Sequence, residues 1–139
     1  MAITLNNKVG VKIGSVDLSD HVTSVTLNQT FDELEVSAMG DLAHKFVKGL
    51  ESATLTVSFL NDQGAASVLD TLSDAFGTTV AFKLLQDSAA AVAATNKLFT
   101  GDILINNLTP INGAVGDMST QDITFTVNSV VTVADSGTF

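Results

Sequence analysis

Residues 53–59 read Ala53-Thr54-Leu55-Thr56-Val57-Ser58-Phe59. Every second side chain is apolar and each one between carries a hydroxyl, the period-two pattern of a strand with one face in a core and the other toward solvent. Asn61, Asp62, Gln63 and Gly64 close the strand. Beyond them Ala65, Val68, Leu69, Leu72 and Phe76 recur at helical spacing, while Ser67, Asp70, Thr71 and Asp74 fill the opposite side. This predicts one amphipathic helix that lays Val68, Leu69, Leu72 and Phe76 onto a sheet. Asn61 or Asp62 can cap its start, and Gly77 can take the left-handed position past its end.

Working toward the N-terminus, Val9, Val11 and Ile13 alternate with Lys8, Gly10 and Lys12, a half-buried strand. Gly14 and Ser15 turn the chain. Val22, Val25 and Leu27 form a second strand whose alternation slips at Thr23 and Ser24, the mark of a bulge. Across residues 28–50 the apolar positions Phe31, Leu34, Val36, Met39, Leu42, Phe46 and Val47 keep neither period for long. We read this segment as a long loop, with a weak helical option over residues 41–48. Connections of this length are usually functional or disordered, and the apolar content argues against plain disorder.

On the C-terminal side Val80, Phe82 and Leu84 alternate in another strand, and residues 87–97 form an alanine-rich connection. Strand character resumes around Ile103 and Ile105. Pro110, Asn112, Gly113 and Gly116 mark a loop. Ile123, Phe125 and Val127 then alternate with Thr124 and Thr126 in a last long strand expected to reach Val133, leaving residues 134–139 as a tail. The expected fold is mainly β over a single domain, residues 1–139: a β-sandwich or barrel with one flanking α-helix, α+β by strict count.

Composition narrows the function. Fifteen acidic residues face six basic ones, all lysine, for a formal net charge of −9, and the chain has no Arg, Trp or Tyr. Binding to nucleic acid wants cations against phosphate and aromatics against bases, so specific nucleic-acid binding is not expected. Charged residues make up 15% of the chain, against about 25% in an average soluble domain. That deficit suggests surfaces covered by neighbours, the bland alternative being a monomer coated with Ser, Thr and Asn. No run approaches the ~18 apolar residues a membrane helix needs, and residues 1–10 show no basic region followed by an apolar one, so no signal peptide or membrane anchor is read. Absence of Cys agrees with a cytosolic origin.

The parts for catalysis are few. His21 and His44 are the only imidazoles, beside Asp20 and three residues from Asp41; without Cys, triads and zinc sites lack components. Asp17 with Asp20, and Asp32 with Glu33 and Glu35, lack the spacing of a calcium loop. Carboxylate pairs for glycoside hydrolysis lack the Trp and Tyr that stack on sugar rings. Residues 112–117, Asn-Gly-Ala-Val-Gly-Asp, carry no phosphate-cradle lysine. No catalytic, cofactor or metal site is expected. The positive signal is a set of Thr and Ser faces, Thr54, Thr56 and Ser58 with Thr124 and Thr126, that carry no charge to discourage sheet extension onto a neighbouring chain.

Several stretches together resemble the tail tube (major tail) proteins of long-tailed bacteriophages: residues 11–28 (VKIGSVDLSDHVTSVTLN), 38–41 (AMGD) ahead of 44–50, the strand 53–59 before the helix, and 99–101 with 110–117 (PINGAVGD) before Thr124 and Phe125. The resemblance rests on order and spacing over nearly the whole chain. It implies a self-assembling structural subunit of the virion tail, made in the host bacterial cytoplasm, joined into hexameric rings stacked as a tube, with a tape measure and other tail proteins as partners. DNA would pass through an acidic channel without specific binding. It also implies that the segment after the second strand reaches an adjacent ring, which would put Phe31, Leu34, Met39, Phe46 and Val47 at inter-ring contacts. The alternatives are a monomeric β-sandwich binding or adhesin module, a carboxylate hydrolase, and a minor tail or tail-terminator protein.

Overall fold

The computed structural model describes Ile3, Leu5 and residues 7–139. In chain order the strands are β1 (Gly10–Ile13), β2 (Val16–Asp17), β3 (Val22–Glu35), β4 (Phe46–Leu60), β5 (Thr79–Leu85), β6 (Leu98–Leu104), β7 (Thr120–Val127) and β8 (Thr132–Ala134), with one helix, α1 (Val68–Ala75), between β4 and β5. They form one eight-stranded sheet in the order β2-β1-β5-β6-β7-β4-β3, with β8 also paired to β6. Every pairing is antiparallel.

The sheet is curled, for two reasons visible in the chain. Its end strands β2 and β3 are joined only through Leu18 and the single 3-10 turn Ser19–His21, so the two ends cannot lie far apart. A bulge at residues 128–131 also bends the sheet where β7 gives way to β8. There the Ser129 hydroxyl accepts from the Asp102 N–H at 2.9 Å, and the Asn128 N–H donates to the Asp102 carbonyl at 2.7 Å. The last strand is therefore two segments rather than the unbroken one expected, because a side chain replaces a backbone acceptor along β6.

Curling brings the alternating faces together. Val11 and Ile13 of β1, Leu55, Val57 and Phe59 of β4, Phe82 of β5, Ile103 of β6 and Ile123 and Phe125 of β7 share one core cluster with Val68 and Leu72 of α1. The mainly β architecture with one flanking helix is as expected. The irregularity at Thr23 is also present, as a register shift between Val22 and Ser24 against β4.

The helix is shorter than its stripe. Ala66 sits in the left-handed region at φ 55°, and its N–H donates to the Asp70 carboxylate at 2.7 Å, so the chain enters the helix only after it. Asp62 turns the preceding loop, accepting from the Gly64 N–H at 2.8 Å, and Ser67 occupies the cap position. Val68, Leu69 and Leu72 are buried, whereas Phe76 is 55% exposed. Its expected place in the helix-to-sheet core is corrected: Phe76 leaves the helix with extended ψ 127°, ahead of Gly77 at φ 82°, and the backbone exit carries the ring off the stripe.

The tail folds back on the body. Lys12 Nζ lies 5.0 Å from the centre of the Phe139 ring, and Lys83 Nζ donates to the Thr138 carbonyl at 3.1 Å.

Candidate functional site

Residues 28–50 are not a loop. The pairing of β3 with β4 runs on from the body through Asn28↔Thr54, Thr30↔Ser52 and Phe31↔Glu51 to Leu34↔Val47 and Glu35↔Phe46, and the Val36 N–H still reaches the Lys45 carbonyl at 2.8 Å. This segment is a β-hairpin arm, and the helical option over residues 41–48 is replaced by its tip and returning strand. Its two-fold pattern is hidden in the sequence because neither face of the arm lies on the core, so nothing sorts apolar from polar positions.

A second register shift, between Phe31 and Glu33, sits opposite Gly49 and Leu50. A Cβ on Gly49 would fall 2.8 Å from the Asp32 Cβ and 3.0 Å from the Asp32 carbonyl oxygen, so only glycine lets the strands close here. Beyond the shift, cross-strand partners share a face. Leu34 and Val47 lie on one side. On the other, Glu33 faces Lys48 and Glu35 faces Phe46. Lys48 Nζ stands 5.4 Å from the centre of the Phe31 ring.

The tip is built rather than loose. Gly40 takes φ 93°. The Asp41 carboxylate accepts from the Ala38 N–H at 2.8 Å and pairs with Lys45 Nζ at 2.8 Å, while the Ser37 hydroxyl accepts from the Lys45 N–H at 2.9 Å. The Lys45 ammonium, then the Ala38 N–H, hold the Asp41 carboxyl below its ordinary pKa. Glu35 is likewise lowered by its hydrogen bond to His44 and then to Ser37.

What this frame presents is apolar. Phe31, Leu34, Phe46 and Val47 are each about half exposed, and Met39 and Leu42 at the tip are completely so. The structure therefore gathers Phe31, Leu34, Met39, Phe46 and Val47 onto one projecting element. It adds Leu50, also exposed, which sequence reasoning passed over. The Gly40-Asp41 turn between two β-tolerant stretches was the available signal for the hairpin.

The remaining candidates do not converge on chemistry. His21 pairs through Nε2 with Asp62 at 2.9 Å, not with Asp20. His44 pairs with Glu35, while Asp41 goes to Lys45. Asp17 accepts from the Ser19 N–H at 3.0 Å. Among the described residues no group of three or more His, Cys, Asp or Glu side chains is placed to hold a metal ion, and no helix is long and apolar enough to cross a membrane. A groove of about 310 Å³ lined by Val9, Val25, Leu27, Leu84 and Phe99 has no titratable side chain in its walls. The Thr faces are also reassigned. Thr54, Thr56, Thr124 and Thr126 face one another across β4 and β7, with the Thr56 and Thr124 hydroxyls 3.1 Å apart. Where they pair, both strands lie inside the sheet, so this Thr face is not at an edge; β2, β3 and β8 each have a partner on one side only.

No family model and no curated protein matches the chain. Solved structures do: a chain from the virion of a native gene transfer agent (GTA) particle superposes with a TM-score of 0.77 over 95% of this chain and 99% of its own length, at 8% sequence identity. This chain shares its fold with that virion chain. At such identity the likeness is one of architecture.

Proposed function

We propose that this chain is a non-enzymatic structural subunit of a phage-like virion, and within it a tail tube protein that assembles into stacked hexameric rings around a channel for DNA. The observation that carries this reading is the arm: a hairpin with an ordered tip that shows Phe31, Leu34, Met39, Phe46, Val47 and Leu50 to solvent. Isolated hairpins are marginal in water, and apolar side chains on a paired frame are the usual mark of a surface buried by a partner. The fold match to a virion chain supports placing that partner in a virion. The net charge of −9 suits a passage that repels phosphate. In this reading the arm reaches an adjacent ring, and a tape measure and other tail proteins complete the assembly. Electron microscopy of the purified protein at rising concentration tests it. Six-fold rings or tubes are expected, and a monodisperse monomer at every concentration would count against it.

A further inference from the structure

The loop of residues 106–119 holds the one place in the chain where asparagine is followed by glycine, Asn112-Gly113. Both residues are exposed. Gly113 takes φ 129°, a conformation that a residue with a Cβ rarely adopts, so the loop itself requires glycine after this asparagine. The Gly113 N–H has no acceptor among the described residues, and without a Cβ nothing on Gly113 screens its nitrogen. The surrounding frame is anchored. Asn61 Nδ2 donates to the Ser119 hydroxyl at 2.9 Å, the Thr109 N–H to the buried Gln121 side-chain oxygen at 3.0 Å, and the Ala114 N–H to the Asp117 carboxylate at 3.2 Å. Asn112 supplies a further anchor, its Nδ2 donating to the Thr120 carbonyl at the start of β7 at 3.1 Å. Other asparagines are placed differently. Asn28 is paired inside β3, and Asn96 is buried with its amide donating to the Asp87 and Ala91 carbonyls.

We infer that Asn112-Gly113 is a self-modification site, at which the folded chain converts Asn112 to aspartate and isoaspartate with water as the co-reactant. The Gly113 nitrogen forms a bond to the side-chain carbonyl carbon of Asn112 and gives its proton to solvent. The bond from that carbon to Nδ2 breaks, and the nitrogen takes up a proton and leaves as ammonia. Water then opens the cyclic imide at either carbonyl, giving aspartate or an isoaspartate whose backbone runs through the former side chain. A water is consumed, an ammonia is released, and no electrons change hands. The reaction is intramolecular, so no binding step precedes it. The Asn112 bond to Thr120 does not prevent it, since a single neutral hydrogen bond at the surface slows the reaction by no more than about tenfold. The product cannot keep that anchor. An amide nitrogen donates to a carbonyl, whereas a carboxylate only accepts, so the loop loses its tie to β7. The new charge also stands near Asp117, which holds the Ala114 N–H two residues further on. The site belongs to the single chain and does not rest on the assembly reading above. In an assembly whose subunits are not replaced, such a change accumulates with age.

Peptide mapping by mass spectrometry tests this on the whole protein aged in mildly alkaline buffer, folded and in urea. The readout is the mass gain of exchanging NH2 for OH, with isoaspartate separated from aspartate by chromatography. In the folded protein position 112 should convert to both products, at least tenfold faster than any other asparagine and within about tenfold of its own rate in urea. Conversion in urea with none in the folded protein would overturn the inference, as would conversion led by another asparagine. Asn112→Gln keeps the amide donor but disfavours the ring, so it should abolish the mass gain at this position with the melting temperature unchanged. A mass gain persisting there would contradict the assignment. Asn112→Asp reproduces the charge of the product directly. Hydrogen exchange across residues 108–119 should rise in this variant as in the aged protein, with α1 unaffected. Exchange equal to that of fresh wild type in both would overturn the loss of the anchor.

Discussion

Strands β3 and β4 pair with each other along nearly their whole length, yet their two halves live in different surroundings. In the body, Leu55, Val57 and Phe59 of β4 are fully buried against the core; in the arm, Phe46 and Val47 of the same strand are about half exposed. The backbone ladder continues while burial stops. Backbone pairing alone contributes little net stability, since unfolding exchanges it for hydrogen bonds to water. The body therefore holds the fold, and the arm is carried by it. The apolar side chains of the arm bury little on the isolated subunit, each being about half exposed or more.

The largest effect that can break this comparison is a matched pair of truncations on one strand. Phe59→Ala should lower unfolding free energy by about 3–5 kcal/mol, through lost burial and a cavity. Phe46→Ala should change it by less than about 0.5 kcal/mol in the free subunit, as surface substitutions do, while impairing assembly. Denaturant melts give both numbers, and equal losses would mean that the arm packs on its own domain.

A similar contrast holds on the helix. Leu72→Ala should cost about 2–5 kcal/mol, and Phe76→Ala only a small fraction of that, because its ring stands outside the core. A loss at Phe76 comparable with that at Leu72 would restore it to the helix-to-sheet core.

The smallest expected effect sharpens the picture of the tip. The Asp41 carboxyl is lowered from its ordinary 3.8 by Lys45 and the Ala38 N–H. A depressed folded value means the contact is at full strength above the ordinary value and is lost as pH falls through the folded one. Protection of the Ala38 amide, taken relative to its intrinsic exchange rate at each pH, should fall on acidification below pH ~4, and Asp41→Asn should remove most of that pH dependence. Unchanged acid sensitivity in the variant would place the tip's order elsewhere.

The same contrast explains what could be read in advance. Residues 53–59 and the stripe Val68, Leu69, Leu72 were legible because a core sorts side chains by period. Phe31 to Val47 gave no such pattern, because a hairpin with no core on either face has no reason to alternate. The apolar character of this segment was plain in the sequence, but its shape was not. Phe76 misled because the stripe continues in sequence after the backbone has left the helix. The break at residues 128–131 was hidden because Ser129, which substitutes for the ladder, looks like any strand-tolerant residue.

The central claim is that neighbouring subunits bury the arm. Hydrogen exchange followed by mass spectrometry, on the free subunit and on the assembled particle, tests it most directly, because exchange reports how readily each paired amide opens. The account predicts that peptides covering residues 31–47 exchange quickly in the free subunit and slowly after assembly, with residues 53–59 protected in both states. Protection of the arm that is already complete in a verified monomer, or that does not rise on assembly, would contradict it.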